Sequence, residues 1–223
     1  MDRLHRIRLL LGDEAVAKLE SATVMVVGCG AVGSFAIEAL ARSGVGNLIL
    51  IDFDKVEVSN INRQLFALQS TIGTPKVDVA RTRINDISSD IKVTTFNMFW
   101  DESSSPDVRP DFVIDAIDSV PSKIALYRWC TTHNIPFVAS MGAAQKTDMS
   151  MVKIAKLSKT TVCPLAARIR KLVRAENLPD FPVVYSTQNP IKNDSGVLGS
   201  MITVTGNFGL HLANFVIQKL TSE

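Results

Sequence analysis

Glycines and a carboxylate near the start of the chain have the spacing of a nucleotide-binding turn. Gly28, Gly30 and Gly33 form a G-x-G-x-x-G pattern between an apolar segment and a segment with helical spacing. The first two glycines let the backbone approach a phosphate, and the third permits close packing of the helix. Asp52 follows about 20 residues after Gly33, where a carboxylate can accept hydrogen bonds from ribose hydroxyls. By themselves, these residues favour NAD as the ligand.

The segment beyond Asp52 contains polar side chains that a hydride-transfer site does not need. Asn60, Arg63 and Gln64 fall in one short stretch, and Lys76 stands at the start of a predicted helix. The guanidinium of Arg63 can bridge phosphate oxygens, and Lys76 supplies a compact positive charge. The two amides can hydrogen-bond to phosphate. The group therefore favours a triphosphate, and we expect Arg63 and Lys76 to be partly solvated.

Strands and helices alternate along the part of the chain that carries these residues. This alternation predicts an α/β fold with a doubly wound, mainly parallel, Rossmann-like sheet. The predicted strands cover 24–28, 47–52, 91–97, 112–117 and 135–140, and the predicted helices cover 31–42, 74–87 and 122–134.

The pattern weakens after Gly142, and the remaining elements are predicted as a C-terminal α+β extension. We expect one domain over 1–223, with a nucleotide-binding core at about 20–145 and a substrate or dimer part at about 146–223. The predicted elements of the extension are a strand at 151–157, a helix at 164–176, a loop-rich passage at 180–196 and a terminal helix at 202–220.

Composition narrows the class of protein further. The chain has 223 residues, of which 46% are hydrophobic and 21% charged, as in ordinary globular proteins. Cys29, Cys130 and Cys163 form no C-x-x-C pair, so neither a zinc site nor a disulfide framework is predicted. The apolar stretches are interrupted by polar residues, so no membrane insertion is predicted. We expect a cytoplasmic protein with reduced thiols.

Positive charge is concentrated in one stretch of the second half, although the net charge is only +2. No acidic residue interrupts this stretch between residues 149 and 175, so it could face the phosphates of a nucleic acid. Charge alone favours a plainer interpretation, a solvated helix face balanced by acids elsewhere. The basic residues are Lys153, Lys156, Lys159, Arg168, Arg170, Lys171 and Arg174.

Three motifs together resemble the ThiF/MoeB/HesA superfamily, which is related to the ubiquitin-activating enzymes. They are G-C-G-A-V-G at 28–33, D-F-D-x-V-x-x-S-N-x-x-R-Q at 52–64 and G-x-P-K at 73–76. The resemblance implies ATP as the nucleotide, with ribose at Asp52 and magnesium at Asp118. The ATP-binding residues that it implies are Gly28, Gly30, Gly33, Asp52, Asp54, Asn60, Arg63, Gln64 and Lys76.

Two aspartates in the segment DAIDS compete for the magnesium position. Asp118 lies just past the carboxyl end of a predicted parallel strand, where such sheets bind their ligands. Magnesium at that point would neutralise charge on the leaving pyrophosphate. Asp115 lies earlier on the same strand, and we expect it to brace a loop.

The amino-terminal segment RLHRIRLLLG resembles the R-x-x-R segment of the superfamily, in which one arginine reaches the nucleotide of the other subunit. Spacing to Gly12 makes Arg6 the match, and Arg3 and Arg8 are then ordinary surface charges. The resemblance implies a homodimer, and a catalytic set of Arg6, Arg63, Lys76 and Asp118. A cation supplied in this way stabilises charge that builds on the α-phosphate.

The second half resembles the tRNA threonylcarbamoyladenosine dehydratase branch of the superfamily. The similarity lies in DAIDSVPSK, the PLAARIRKLVR stretch and VVYST. It implies ATP-dependent cyclisation of threonylcarbamoyladenosine in tRNA through an acyl adenylate, with the basic stretch docking the tRNA backbone. The passage 188–201 is shorter than in bacterial members of the branch. The resemblance leaves open a monovalent cation and a sulfur-transfer protein partner, but no zinc is expected.

Two other functions compete with this interpretation. The first is adenylation of the C-terminal glycine of a sulfur-carrier or ubiquitin-like protein, in which Cys163 could capture the activated carboxyl because it precedes a helix. The branch needs no cysteine there, so an inert thiol is favoured. The second is an NAD-binding redox module without adenylating activity.

Overall fold

The computed structural model describes residues 2–192 and 196–222. In chain order the strands are β1 (Thr23–Val27), β2 (Asn47–Ile51), β3 (Lys92–Phe96), β4 (Phe112–Asp115), β5 (Phe137–Ser140), β6 (Val152–Lys156) and β7 (Pro182–Ser186). The helices are α1 (His5–Leu11), α2 (Asp13–Ser21), α3 (Gly33–Arg42), α4 (Lys76–Ile87), α5 (Val120–Thr132), α6 (Pro164–Ala175) and α7 (Ile202–Thr221). Residues 193–195, which fall in the passage predicted to be short, lie outside this description.

Within the described residues the strands form one seven-stranded sheet in the order β3-β2-β1-β4-β5-β7-β6. Every pairing is parallel except that of β6 with β7. The chain runs outward from β1 to β3 and then returns to β4, so the strand order reverses between β1 and β4. The prediction of a doubly wound α/β sheet is confirmed, and the reversal marks the edge where such sheets bind ligands.

The central strands are apolar at consecutive positions because helices cover both faces of the sheet. In β1, Val24 and Val26 pack in one core cluster, whereas Met25 and Val27 pack in the other. The first cluster includes side chains of α3, α4 and α7, and the second includes side chains of α5 and α6. The alternation of neighbouring residues between two cores fixes which helix lies over which face.

One prediction for the second half is wrong. The passage 180–196 contains β7, which pairs parallel with β5 and antiparallel with β6. Val183 and Val184 are fully buried there. The residues that flank this short strand are typical of loops, so the sequence pattern predicted a loop. Pro182 is compatible with the strand because a strand can begin with proline. The predicted strand at 151–157 and the predicted helices at 164–176 and 202–220 are confirmed.

The terminal helix α7 packs closely on α3 through two glycines. A Cβ added at Gly209 would lie 2.3 Å from the carbonyl oxygen of Val32, and one at Gly206 would lie 3.1 Å from the Phe35 ring. Any larger residue at 209 would push the two helices apart. The extension therefore supports the helix that follows the glycine turn. None of the helices within 2–192 and 196–222 is long and apolar enough to cross a membrane.

Candidate active site

A cleft of about 550 Å³ opens at the carboxyl ends of β1, β2, β4 and β5. It contains most of the nucleotide-binding residues predicted from sequence, although they are spread over some 90 positions of the chain. Gly33 and Arg6 do not line it, and neither do the basic residues of the second half. The predicted residues along the cleft are Gly28, Gly30, Asp52, Asp54, Asn60, Arg63, Gln64, Lys76 and Asp118.

The three glycines of the turn meet different physical demands. Gly28 has φ +98°, and a Cβ there would lie 2.6 Å from the Ala116 carbonyl oxygen. A Cβ at Gly33 would lie 1.7 Å from the Gly28 carbonyl oxygen, so this position has no room for a side chain. Gly30 is different, because its nearest neighbour would be the Gln64 amide at 3.8 Å. The open space above Gly30 belongs to the cleft and can admit a ligand phosphate.

The carboxylate of Asp52 connects the glycine turn to the loop after β2. Its two oxygens accept the backbone N–H groups of Cys29 at 2.6 Å and Asp54 at 2.8 Å. Burial raises the pKa of Asp52, and the Asp54 N–H and the charge of Lys76 counteract part of this increase. Each carboxylate oxygen has a second lone pair. Asp52 can therefore accept further hydrogen bonds from ribose while it holds the turn.

Lys76 is more deeply buried than the sequence analysis predicted. Its side chain is 6% exposed, and its ammonium lies 2.7 Å from Asp54 Oδ2. The segments around Asp54 and Lys76 run side by side, with Lys76 N–H donating to the Asp54 carbonyl and Val56 N–H to the Thr74 carbonyl. These neighbours cover the lysine stem, so the prediction of a partly solvated Lys76 is wrong. Arg63 is only partly buried, as predicted.

A compact turn over residues 58–64 positions the remaining polar side chains. Arg63 Nη1 donates to the Ser59 carbonyl and to Asn62 Oδ1, both at 2.8 Å. Within the described residues the Arg63 guanidinium makes no further hydrogen bond, and Arg63 lines the cleft. Asn60 and Gln64 are buried, at 7% and 8% exposure. The turn therefore combines a cation with two amides beside Gly30.

The two aspartates after β4 occupy different environments. Asp118 is exposed along the cleft. Asp115 is fully buried, and it accepts hydrogen bonds from Lys123, Tyr127 and the Ile117 N–H. Burial, followed by the charge of Asp115, raises the pKa of Tyr127 well above its ordinary value. Only Asp118 is placed to meet a ligand, which agrees with the expectation that Asp115 braces a loop.

Sequence reasoning missed several residues of this region. Lys123 and Tyr127 are four positions apart on α5, and this polar pair on one face of a largely buried helix was the available signal. Phe53 and Phe99 line the mouth of the cleft with ring centroids 5.0 Å apart. Phe53 directly follows Asp52, so an aromatic side chain next to the ribose carboxylate could have been noticed. The pair offers an apolar surface to a nucleotide base.

Arg6 lies on the exposed side of α1, away from the cleft. Arg8 forms ion pairs with Asp2 and Glu20, and Arg3 donates to the Ala41 carbonyl. Arg6 makes no hydrogen bond or ion pair within the described part of the chain. It lies three and four positions before Leu9 and Leu10, which are 76% and 80% exposed on the same short helix.

The basic stretch divides between β6 and α6. Arg168, Lys171 and Arg174 are spaced three apart on the exposed side of α6, and Lys153 and Lys156 are exposed on β6. Lys159 is also exposed. Arg170 differs, because its guanidinium donates to the Thr160 carbonyl at 2.9 Å and is partly buried. The structure thus separates Arg170 from the other predicted nucleic-acid contacts.

The three thiols are buried. Cys163 is 2% exposed at the residue before α6, and Cys29 and Cys130 are fully buried. Burial raises the pKa of Cys130 and Cys29 above the ordinary value for a thiol. Structural thiols buried in a protein core are generally inert. This placement agrees with the expectation that Cys163 is inert.

Residues 2–223 match the family model described as the ThiF family. The chain belongs to the ThiF family. It is 44% identical over 195 residues to the tRNA threonylcarbamoyladenosine dehydratase of Bacillus subtilis, covering 86% of this chain and 77% of that protein. The crystal structure of the Escherichia coli dehydratase in complex with ATP is 34% identical, with a TM-score of 0.92, over 98% of this chain and 93% of that one.

The chain is also similar, over a smaller part of its length, to a protein named as an adenylyltransferase. The molybdopterin-synthase adenylyltransferase of E. coli is 37% identical over 139 residues, which cover 61% of this chain and 54% of that protein. The similarity to the dehydratases therefore covers more of this chain than the similarity to that adenylyltransferase does.

Proposed function

We propose that this protein is an ATP-dependent tRNA threonylcarbamoyladenosine dehydratase. The observation that carries the proposal is the grouping of Gly30, Arg63, Lys76 and Asp118 in one cleft at the point where the strand order reverses. This set provides room for a phosphate, two cations and one free carboxylate. The dehydratases match this chain over most of its length, including the part beyond the core.

We place ATP in the cleft by the chemistry of its walls. The ribose hydroxyls face Asp52, and the base lies against the pair Phe53 and Phe99. The phosphates extend past Gly30 toward Arg63 and Lys76, since a planar guanidinium and a compact ammonium both favour phosphate oxygens. Asn60 and Gln64 add amide contacts to the same oxygens.

Magnesium fits the cleft only in company with the nucleotide. Among the described residues no group of three or more His, Cys, Asp or Glu side chains could hold a metal ion. Magnesium usually binds one or two carboxylates together with substrate phosphates, and Asp118 supplies such a carboxylate. The ion would draw charge away from the leaving pyrophosphate.

The proposed reaction has two steps. In the first, an oxygen of the threonyl carboxylate attacks the α-phosphorus of ATP, and pyrophosphate leaves to give an acyl adenylate. Arg63 and Lys76 stabilise the charge that builds on the phosphates. In the second, the neighbouring ureido group attacks the activated carbonyl carbon, loses its N–H proton and releases AMP. The net change to the nucleoside is the loss of one water.

The second step is favoured because both reacting groups belong to one nucleoside, so no second molecule has to be oriented. No nucleophile of the protein enters either step, which suits the burial of Cys163. Both steps balance without a sulfur-transfer protein or a monovalent cation.

The substrate and the second subunit are assigned to different surfaces. We propose that the exposed cations of α6 and β6 contact the tRNA backbone, which would make binding strongly dependent on salt. This surface consists of Lys153, Lys156, Lys159, Arg168, Lys171 and Arg174. We also propose a homodimer in which Arg6 reaches the cleft of its partner, since Arg6 makes no hydrogen bond or ion pair with the described residues of its own subunit, and Leu9 and Leu10 on the same helix are exposed.

Adenylation of a sulfur-carrier or ubiquitin-like protein is the alternative that the cleft chemistry would also permit. A single assay separates the two functions. Purified protein is incubated with magnesium–ATP and tRNA that carries threonylcarbamoyladenosine, and the anticodon-loop nucleosides are analysed by mass spectrometry. Loss of the mass of one water supports the dehydratase. An unchanged nucleoside, together with pyrophosphate exchange that requires a small carrier protein, would replace it with the alternative.

A further inference from the structure

Three polar side chains behind the wall of the cleft form a hydrogen-bonded group, here named the Asp115–Lys123–Tyr127 cluster. Asp115 ends β4, and Lys123 and Tyr127 are one turn apart on α5. All three are fully buried. The Lys123 ammonium lies 2.7 Å from Asp115 Oδ2, and the Tyr127 hydroxyl donates to the same oxygen at 2.5 Å. The cluster is therefore closed to substrate and acts only on its neighbours in the fold.

The cluster holds two segments that continue past the paired part of β4 and β5. The pairing of these strands ends at Asp115 and Ala139. Beyond it, Asp115 Oδ1 accepts the Ile117 N–H at 2.9 Å, and the Lys123 ammonium donates to the Ser140 carbonyl at 2.7 Å. Ile117 and Ser140 both line the cleft. Lys123 therefore connects the two sides of the cleft at a point beyond the last backbone pairing of β4 with β5.

Stability is a weak reason to bury such a pair. Removing two charges from water often costs more than their attraction returns, and apolar replacements of a buried ion pair are frequently neutral or stabilising. The position of the cluster suggests another reason. Asp118, the carboxylate assigned to magnesium, follows Ile117 by one residue, and Ser140 begins a run of lining residues that continues to Ala144.

We propose that Lys123 is a positioning residue for ATP activation, which fixes the distance between the segment carrying Asp118 and the segment starting at Ser140. It does so by binding the Asp115 carboxylate and the Ser140 carbonyl at once. With this link intact, the Asp118 carboxylate has a fixed position relative to the ATP phosphates. This inference rests on the proposed function, because it concerns the use of magnesium–ATP in that cleft.

The experiment compares four variants of the full chain. Asp115→Asn combined with Lys123→Met removes both charges, so no buried charge is left unpaired, and the amide can still accept the Ile117 N–H. Lys123→Met alone and Tyr127→Phe alter one partner each. Leu126→Ala is the matched control, since Leu126 is fully buried on the same helix and makes no polar contact with the cluster. It lowers stability without touching the link.

ATP binding is measured by isothermal titration with and without magnesium chloride, beside the melting temperature of each variant. Wild-type protein is expected to bind ATP more tightly with magnesium. In the double variant, the increase in ATP affinity caused by magnesium should be smaller by about tenfold or more. Losses of this size are typical when the hydrogen-bond partners of a metal ligand are removed. Affinity for ATP without magnesium should stay near the wild-type value. Leu126→Ala should melt earlier but keep the gain.

Three results would overturn the proposal. The first is a folded double variant in which magnesium increases ATP affinity as much as in wild type, and the second is an equal loss of this increase in Leu126→Ala. The third is ATP binding by wild-type protein that does not respond to magnesium. If the double variant does not fold, Tyr127→Phe decides, because it should show a smaller loss in the same direction. The tRNA assay is separate from this measurement. Protein that binds magnesium–ATP but leaves the tRNA unchanged would refute only the proposed substrate.

Discussion

Replacing Lys76 by methionine should abolish most adenylation while the fold persists. Lys76→Met keeps a side chain of similar length but removes the ammonium that we place on the ATP phosphates. Loss of one group that stabilises developing charge in a shielded site costs about 3–4 kcal/mol, or about a hundredfold to a thousandfold in rate. The Lys76 side chain is only 6% exposed, so it is shielded from solvent and an effect of this size is expected.

The effect on stability should be much smaller than the effect on rate. The partner of Lys76, Asp54, has a side chain that is 46% exposed, so water can solvate it once the ammonium is gone. An ion pair with one solvated partner contributes about 1 kcal/mol at most. For a chain of this length, that amounts to a fall of about 4 °C or less in the melting temperature. Methionine also retains the apolar packing of the lysine stem.

The assay is pyrophosphate exchange into ATP in the presence of the modified tRNA, together with thermal unfolding. Lys55→Met is the matched control, because Lys55 is next to Asp54 in sequence, is exposed and lies outside the cleft. It removes the same charge from the same loop. Exchange by Lys76→Met within about twofold of wild type, or an equal loss in Lys55→Met, would show that the ammonium does not act on the phosphates.

Three further predictions concern the glycine turn, the Cys163 thiol and the partly buried Glu38. Gly33→Ala should prevent folding, because its Cβ would lie 1.7 Å from a carbonyl oxygen, whereas Gly30→Ala should fold and lose ATP affinity in calorimetry. Cys163→Ser should retain most tRNA turnover, and a complete loss would revive a thioester mechanism. Burial tends to raise the pKa of Glu38, but hydrogen bonds from Arg83 and Arg42 outweigh it and lower the pKa. The stability that Glu38 contributes is present above its unfolded pKa and disappears as pH falls through the lower folded value. The difference in melting temperature between wild type and Glu38→Gln should therefore shrink as the pH falls below the ordinary glutamate pKa of about 4.3 and vanish below the lowered folded pKa, and a difference independent of pH would contradict this.

Much of the candidate site could be predicted because its signals are local. The glycine spacing and the strand before it predicted the turn, and Asp52 was identified by its position at the end of the next strand. The choice of Asp118 over Asp115 followed from the rule that ligands meet the residues just past the carboxyl ends of parallel strands. The structure places Asp118 in the cleft and Asp115 behind its wall.

Other features could not be predicted because they depend on segments far apart in sequence. The short strand β7 is specified by the valines that it buries against β5 and β6, while its flanking residues are typical of loops. The burial of Lys76 arises from the loop after β2, which runs beside the start of α4. Neither contact leaves a periodic signal in the segment concerned.

The sequence by itself determined the alternation of strands and helices, the glycine turn and the identity of the groups that could bind a triphosphate. These depend on residue type and short-range spacing, which act through backbone geometry within a few positions. Only the tertiary structure decided how deeply each charge is buried and which partners it has, as with Lys76 and Asp54 or Lys123 and Ser140. Burial and electrostatics are set by atoms brought close from distant parts of the chain, and no local pattern encodes them.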